Sequence, residues 1–244
     1  MLSLFLVLGL AATSALDVGH ELEALALDYR SDALREEATF GVRVDDADWT
    51  VQAQGDSVHV HAGRPALPTF TYVLDAGTFA RVVAGDLGAL TAMGQARASD
   101  PTPMRLELAD GFHPGEDFKA RFLSITSHFW TRGVPELVRF GFDHARTVHG
   151  GQAVPLHYAP GIRTAWYGIL PGQHLNASPD DQVNDFDSIF MIVEGGSAMM
   201  RVGGRELPMT SGESVHVRAG EAHEFWNPGD RPAEMFMVSF GAGA

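Results

Sequence analysis

The residues best suited to chemistry in this chain lie in one short stretch, 212–227, which reads GESVHVRAGEAHEFWN. His223 stands just after a turn at Gly220 and within a short β-like run. An imidazole in such a place can ligate a metal ion or hydrogen-bond a polar ligand. The combination of turn, histidine and strand predicts that His223 points into the interior of a small β-barrel.

The glycines and the asparagine around His223 stand at a recognisable spacing. Gly212, Gly220, His223 and Asn227 match the second motif of the cupin family, which runs Gly, five residues, Pro-x-Gly, two residues, His, three residues, Asn. Arg218 replaces the proline that the family usually has. The carboxyl-terminal part of the chain therefore resembles a cupin, and the resemblance implies an all-β jelly-roll barrel.

The cupin resemblance extends over about 150–240 but weakens at the first motif of the family. In metal-binding members that motif supplies two histidines and a glutamate, which join the histidine of the second motif around a divalent ion. Such a ligand set leaves a position open for substrate or oxygen. The corresponding loop here, 179–187, reads PDDQVNDFD and contains no histidine. The ligand set that the resemblance implies is therefore incomplete.

Two interpretations of His223 remain open. In the favoured one, a single matching ligand is too few to hold a metal, and His223 binds a ligand together with Trp226 and His174. In the other, Asp185, Asp187 or His174 rebuilds a site with His223 for a divalent ion such as iron, manganese or zinc. That site would belong to a metal-dependent enzyme of the dioxygenase or isomerase type.

The chain around this motif alternates short apolar runs with turns. From 161 to 244 the pattern is typical of many short antiparallel strands, as in a barrel or jelly roll. The preceding residues, 133–160, mix proline, glycine and histidine without a clear period, and we predict a linker there. Three histidines in that linker show no metal-ligand spacing, and they are His144, His149 and His157.

The first half, 17–132, is predicted to form an α+β domain: a helix, a meander of strands, two short helices and a closing strand. A strand opens at 49–51, a turn lies at 55–56, and a helix begins at Asp75 as its N-cap. In the order of these elements, 22–112 resembles the sterol-carrier-protein fold. This resemblance implies a module that binds lipids.

An amphipathic segment, 116–130, follows this region and carries an aromatic stripe. Phe118, Phe122 and Phe129 share one face of the predicted helix. Periodicity does not distinguish a dry core face from one that lines a ligand tunnel. Core packing is the favoured interpretation, and ligand contact by the three phenylalanines is the alternative.

Composition excludes several classes of partner. The 244 residues carry a formal net charge of −14, which disfavours binding to nucleic acid or to an anionic membrane surface. The chain has no cysteine, so disulfides, thiolate metal sites and cysteine nucleophiles are ruled out.

The first residues of the chain, 1–15, form an apolar run bounded by small residues. The run is too short to cross a bilayer, which needs about 20 apolar residues. We predict an export signal peptide and hence a periplasmic or secreted protein. The alternative is a hydrophobic first helix docked on a cytoplasmic protein.

Taken together, these features favour non-covalent binding of a small apolar or amphipathic molecule, similar to a lipid or sterol. The first domain would hold the ligand, and the barrel would serve as a binding or regulatory module, because the sequence has few convergent titratable groups. An assembly role is a further possibility. Phe236 and Val238 lie in a strongly apolar strand through which the barrel could form a homodimer.

Overall fold

The computed structural model describes residues 17–95, 99–131 and 137–244. The predicted export signal at 1–15 lies outside the described residues. Within the described ranges, no helix combines the length and the apolar character needed to span a membrane.

The amino-terminal half is built on a five-stranded sheet with helices packed against one face. Its elements are α1 (Val18–Arg30), β1 (Ala38–Val44), β2 (Ala47–Gln54), β3 (Ser57–Ala62), β4 (Phe70–Leu74), α2 (Ala76–Val83), α3 (Ala89–Met93), β5 (Met104–Leu108) and α4 (Phe118–Phe129). The strand order is β3-β2-β1-β4-β5, with β1 and β4 parallel and the other neighbours antiparallel.

Alternation along the strands and caps at the helices explain these elements. Phe40 and Val42 point to the helices and are fully buried, as expected for a strand with one covered face. The helix predicted to begin at Asp75 is confirmed, because the Asp75 carboxylate accepts a hydrogen bond from the Thr78 amide at 2.6 Å.

The carboxyl-terminal half consists of two facing β-sheets. Its strands are β6 (Arg146–Val148), β7 (Gly151–Ala159), β8 (Ile162–Ile169), β9 (His174–Leu175), β10 (Asp187–Gly195), β11 (Ala198–Val202), β12 (Arg205–Met209), β13 (Ser214–Val217), β14 (His223–Trp226) and β15 (Ala233–Phe240). The six-stranded sheet has the order β13-β10-β15-β8-β7-β6, and the four-stranded sheet has the order β12-β11-β14-β9. Apolar side chains from both sheets form one core between them.

The structure differs from the sequence prediction in the segment 133–160. Residues 146–148 and 151–159 are not linker but two strands, β6 and β7, that extend the six-stranded sheet. Pro155 lies in β7 next to an irregularity in the pairing with β8, which is where a strand tolerates proline. The barrel therefore begins earlier than the sequence pattern indicates.

A buried arginine joins the two halves. Arg146 of β6 is 6% exposed, and its guanidinium donates to backbone carbonyl groups at and beyond the end of α3. The acceptors are the carbonyl oxygens of Thr91, Ala92, Gly94, Asp100 and Pro101, at 2.6 to 3.3 Å. Helices α3 and α4 also contact β7, so the halves share a packed boundary.

The strand proposed for assembly lies inside a sheet. Phe236 and Val238 belong to β15, which has β10 on one side and β8 on the other, so it offers no edge to a second copy. The Phe236 ring packs against Phe140, with ring centroids 5.3 Å apart. A homodimer through the barrel stays a prediction, without support from this strand.

Candidate functional site

A cavity of about 170 Å³ lies inside the barrel, between the two sheets. Its polar lining residues come from turns and strand ends, and they include His149, Arg163, Asn176, Asp181, Asn184 and His223. Its aromatic walls are formed by Tyr158, Tyr167, Phe186, Phe190 and Phe225. Polar groups converging on an aromatic cavity are the usual arrangement of a small-molecule site.

His223 is the first residue of β14 and lines this cavity, with 2% of its surface exposed. Its Nδ1 lies 3.3 Å from the Glu221 carbonyl oxygen, and a carbonyl can only accept. This contact therefore places the ring proton on Nδ1 and leaves Nε2 as a hydrogen-bond acceptor. Burial lowers the pKa of His223, the Glu221 carbonyl opposes this, and His149 lowers it further. His223 is thus neutral at pH 7.

A second histidine on the cavity wall, His149, lies in the turn between β6 and β7 and has a positive φ of 55°. The turn approaches β9 closely, because a Cβ added at Gly150 would lie 2.4 Å from the carbonyl oxygen of His174. Burial lowers the pKa of His149, and Asp181 opposes the shift. The buried Nδ1 of His149 has no hydrogen-bond partner within the described residues.

Sequence reasoning missed His149, because it was assigned to a linker. The available signal was the sequence Val-His-Gly-Gly at 148–151, which is typical of a hairpin turn between two strands. Nothing in the sequence shows that this turn and His223 share a cavity.

Arg163 of β8 supplies the positive charge of the cavity wall. Its guanidinium lies 4.7 Å from the ring centroid of Tyr158 and 4.3 Å from that of Phe186. Its Nη2 donates a hydrogen bond to the Gly243 carbonyl oxygen at 2.7 Å. Burial raises the pKa of Tyr167, with Arg163 opposing, so the phenol stays protonated at neutral pH.

The side chains around His223 do not fit a metal ion. In 17–95, 99–131 and 137–244, no group of three or more histidine, aspartate or glutamate side chains is placed to hold one. Asp187 instead accepts hydrogen bonds from the Ala219 amide at 2.8 Å and from His216 Nε2 at 3.2 Å, which lower its pKa. Asp185 is exposed. The structure therefore does not bring Asp185 and Asp187 to His223, and the metal site expected from these three residues is not formed.

Trp226 and His174 lie on the outer face of the four-stranded sheet rather than in the cavity. His174 Nε2 is 2.7 Å from the Glu224 carboxylate, and the His174 and Trp226 rings pack with centroids 5.6 Å apart. The Arg201 guanidinium lies over the Trp226 ring and pairs with Glu224. Trp226 and His174 therefore do not line the barrel cavity, and their contact with a ligand stays a prediction.

The three phenylalanines of the aromatic stripe on α4 do not all have the same surroundings. Phe129 is fully buried and packs edge-on against Tyr29 and Phe40. Phe118 and Phe122 stack on each other, with centroids 5.8 Å apart. Of the three phenylalanines proposed as ligand contacts, Phe122 lines a cavity, whereas Phe129 belongs to the closed core.

That second cavity is a cleft of about 660 Å³ between the two halves. Most of its lining is aliphatic, thioether or aromatic, from Leu90, Met93, Met104, Leu106, Phe122, Leu123, Pro155 and Tyr158. Pro155 and Tyr158 line the barrel cavity as well, so the two cavities lie side by side.

Comparison with known proteins identifies the barrel. The family model for the cupin domain matches residues 169–239. The carboxyl-terminal part of the chain is therefore a cupin domain, which confirms the resemblance seen at 212–227. No curated protein matches the chain. The likeness of 22–112 to the sterol-carrier-protein fold is not shown by these comparisons and stays a prediction.

Solved structures similar to this chain include cupin domain proteins. A Cupin 2 conserved barrel domain protein from Salinispora arenicola is 20% identical, with a TM-score of 0.39 over 45% of this chain and 92% of that one. A protein from Thermus thermophilus is 23% identical, with a TM-score of 0.34 over 38% and 84% of the two chains. A Photorhabdus luminescens protein is 13% identical, with a TM-score of 0.37 over 43% and 87%.

Proposed function

We propose that the cupin domain is a receptor that binds a compact polar molecule non-covalently in the barrel cavity. The observation that carries this proposal is the pair His149 and His223, two neutral imidazoles on the wall of one cavity. Neutral imidazoles offer hydrogen bonds to a buried ligand without the free-energy cost of burying a charge.

The volume of the cavity limits the size of its occupant. Pockets for drug-sized ligands measure about 300–1,000 Å³. The barrel cavity, at about 170 Å³, is smaller. A cavity of about 150 Å³ is known to hold a benzene molecule in another protein. The occupant is therefore about the size of a single ring with few substituents.

The alternative of a metal-dependent dioxygenase or isomerase has less support. That chemistry needs about three protein ligands around an ion that keeps an open position. The donors near His223 do not form such a set within the described residues. We therefore favour a binding or regulatory module over a metalloenzyme.

Native mass spectrometry of the purified protein tests the receptor proposal. We expect a small organic molecule to co-purify with the wild type and to be lost in His149→Leu and His223→Leu. The matched control is His157→Leu, because His157 is an exposed histidine of β7 that does not line the cavity. Stoichiometric iron, manganese or zinc that disappears in His223→Leu would instead establish the metalloenzyme.

A second candidate function is binding of an amphipathic or lipid-like molecule in the cleft between the halves. The supporting observation is the cleft volume of about 660 Å³, which lies in the usual range for ligand pockets. Met93 and Met104 suit such a cleft, since methionine side chains adapt to irregular apolar shapes. This site would take the ligand that the sequence predicts for the first domain.

A fluorescent fatty acid tests this second function. We expect its emission to rise on binding to the wild type and the rise to be lost in Leu123→Glu, which places a charge on the cleft wall. Leu27→Glu is the matched control, because Leu27 is an exposed leucine on α1. If the two variants bind the probe equally well, the cleft is not its site.

A further inference from the structure

Arg163 is the feature of the barrel cavity that the receptor proposal leaves unused. Among the described residues, its guanidinium has a single hydrogen-bond acceptor, the carbonyl of Gly243, and no carboxylate. Its buried Nε has no partner in the described part of the chain. Burying part of a cation without a counter-charge raises the free energy of the folded protein. We therefore expect Arg163 to bind an anionic partner.

The geometry of Arg163 specifies what kind of anion fits. The rings of Tyr158 and Phe186 lie within 4.7 Å of the guanidinium carbon and hold it by cation–π contacts. An arginine fixed in this way presents its N–H groups as a planar fork, which matches the two oxygens of a carboxylate.

Charges on the cavity wall orient the anion. Asp181 and Arg163 both line the cavity, where Asp181 opposes the lowering of the His149 pKa and Arg163 opposes the raising of the Tyr167 pKa. The negative charge of the wall therefore lies on the His149 side. An incoming carboxylate is repelled by Asp181 and attracted by Arg163, so it takes the Arg163 side.

Aromatic side chains shape the remainder of the cavity. Phe190 and Phe225 pack together with centroids 4.6 Å apart, and the His223 ring lies 5.4 Å from Phe190. Such walls favour a planar ring, which gains from offset or edge contacts with aromatic neighbours. The cavity of about 170 Å³ has room for a ring but not for a long chain.

We propose that the ligand of the barrel is a single-ring aromatic carboxylate, whose carboxylate pairs with Arg163 and whose ring lies against Phe190 and Phe225. This inference rests on the receptor function proposed above and names its ligand class. His223 Nε2, as an acceptor, then selects ring substituents that carry a hydrogen-bond donor.

Isothermal titration calorimetry with benzoate and benzamide tests the inference. The two probes have nearly the same shape and differ in charge. We expect the wild type to bind benzoate about 10- to 100-fold more tightly than benzamide, the factor for a charge-assisted hydrogen bond. This preference should vanish in Arg163→Met and persist in Arg205→Met, since Arg205 is an exposed arginine of β12.

The outcomes separate the ligand class from the receptor function. Equal binding of both probes that is lost in His223→Leu would overturn the carboxylate assignment and keep the receptor. A preference for benzoate that survives in Arg163→Met, or no binding of benzoate to the wild type, would also overturn the assignment. The wild-type comparison needs no variant, so it stands even if Arg163→Met does not fold. Arg163→Lys retains the positive charge but lacks the planar pair of N–H donors. We therefore expect this variant to keep only part of the preference for benzoate over benzamide.

Discussion

The Nη1 of Arg146 lies 2.6 Å from the carbonyl oxygen of Thr91, across the boundary between the α+β half and the barrel. Thr91 belongs to α3, and its carbonyl also accepts a hydrogen bond from the amide of the C-cap residue Gly94 at 3.3 Å. The other carbonyl groups at a helix end need donors from outside the helix. A cation at this end also interacts favourably with the helix dipole. Arg146 therefore replaces water at several carbonyl groups and fixes β6 against the end of α3.

We expect Arg146→Met to lower the free energy of unfolding by about 3 kcal/mol, because it leaves buried carbonyl groups without donors. Urea denaturation followed by circular dichroism measures the change. Arg205→Met, at an exposed arginine of β12, should change stability by less than about 0.5 kcal/mol. Similar midpoints for both variants would show that the Arg146 contacts contribute little.

The two phenylalanines of α4 should respond differently to truncation. Phe129→Ala removes a ring from the closed core and should cost about 3–5 kcal/mol in unfolding free energy. Phe122→Ala should cost less, because Phe122 is only partly buried, yet it should weaken binding of a fluorescent fatty acid to the cleft. Chemical denaturation and the emission titration test the two expectations separately. A larger stability loss for Phe122→Ala than for Phe129→Ala would contradict this division.

The motif around Gly220 predicted the position of His223, and strand periodicity contained the information to place Trp226 correctly. Two residues three positions apart in a strand lie on opposite faces, so His223 and Trp226 could not share the cavity. His174 is directly opposite Trp226 in the β14–β9 pairing and therefore also lies on the outer face. The sequence does not show that pairing, because it joins strands about fifty residues apart.

His149 illustrates what local patterns miss. It lies 74 residues before His223 in the sequence, and the two share a cavity because the β6–β7 turn crosses β9. Glycines in the turn and Pro155 in the strand obscured the alternation, and the segment was predicted to be a linker. The sequence predicted that this part of the chain is a cupin barrel, because the motif at 212–227 has a fixed spacing. It did not predict which polar residues line the cavity, because these are brought together by strands that are far apart in the sequence.

Asn227 should matter for folding rather than for ligand contact. It is 1% exposed, and its Nδ2 donates to the carbonyl oxygens of Ile169 and Arg231, both at 2.8 Å. In Asn227→Asp a carboxylate faces these carbonyls and can donate to neither of them. We expect a loss of at least about 2 kcal/mol in unfolding free energy, measured by urea denaturation. Asn184→Asp, which substitutes a residue of the cavity wall, provides a comparison at a partly exposed position.

The two cavity histidines, His223 (buried) and His149 (half-buried), make the stability of the barrel depend on pH. Burial lowers the pKa of both His149 and His223 below the unfolded value of about 6.5. Below that pH the unfolded chain takes up protons that the folded chain does not. The free energy of unfolding therefore decreases as the pH is lowered. This decrease in the free energy of unfolding ends once the pH is below the pKa values of the two histidines in the folded state. Above about pH 7.5 the two histidines make no contribution to the pH dependence of stability.

Thermal denaturation between pH 7.5 and 5 measures this dependence. We expect His149→Leu and His223→Leu each to flatten the decrease in melting temperature, because each removes one group whose pKa is lowered by folding. His157→Leu, at an exposed position, should keep the wild-type slope. A cavity that prefers neutral imidazoles should also lose its ligand over the same pH range. If the slopes of all four proteins coincide, the two cavity histidines are not held in the neutral form, and the hydrogen-bonding role of His223 Nε2 fails with it.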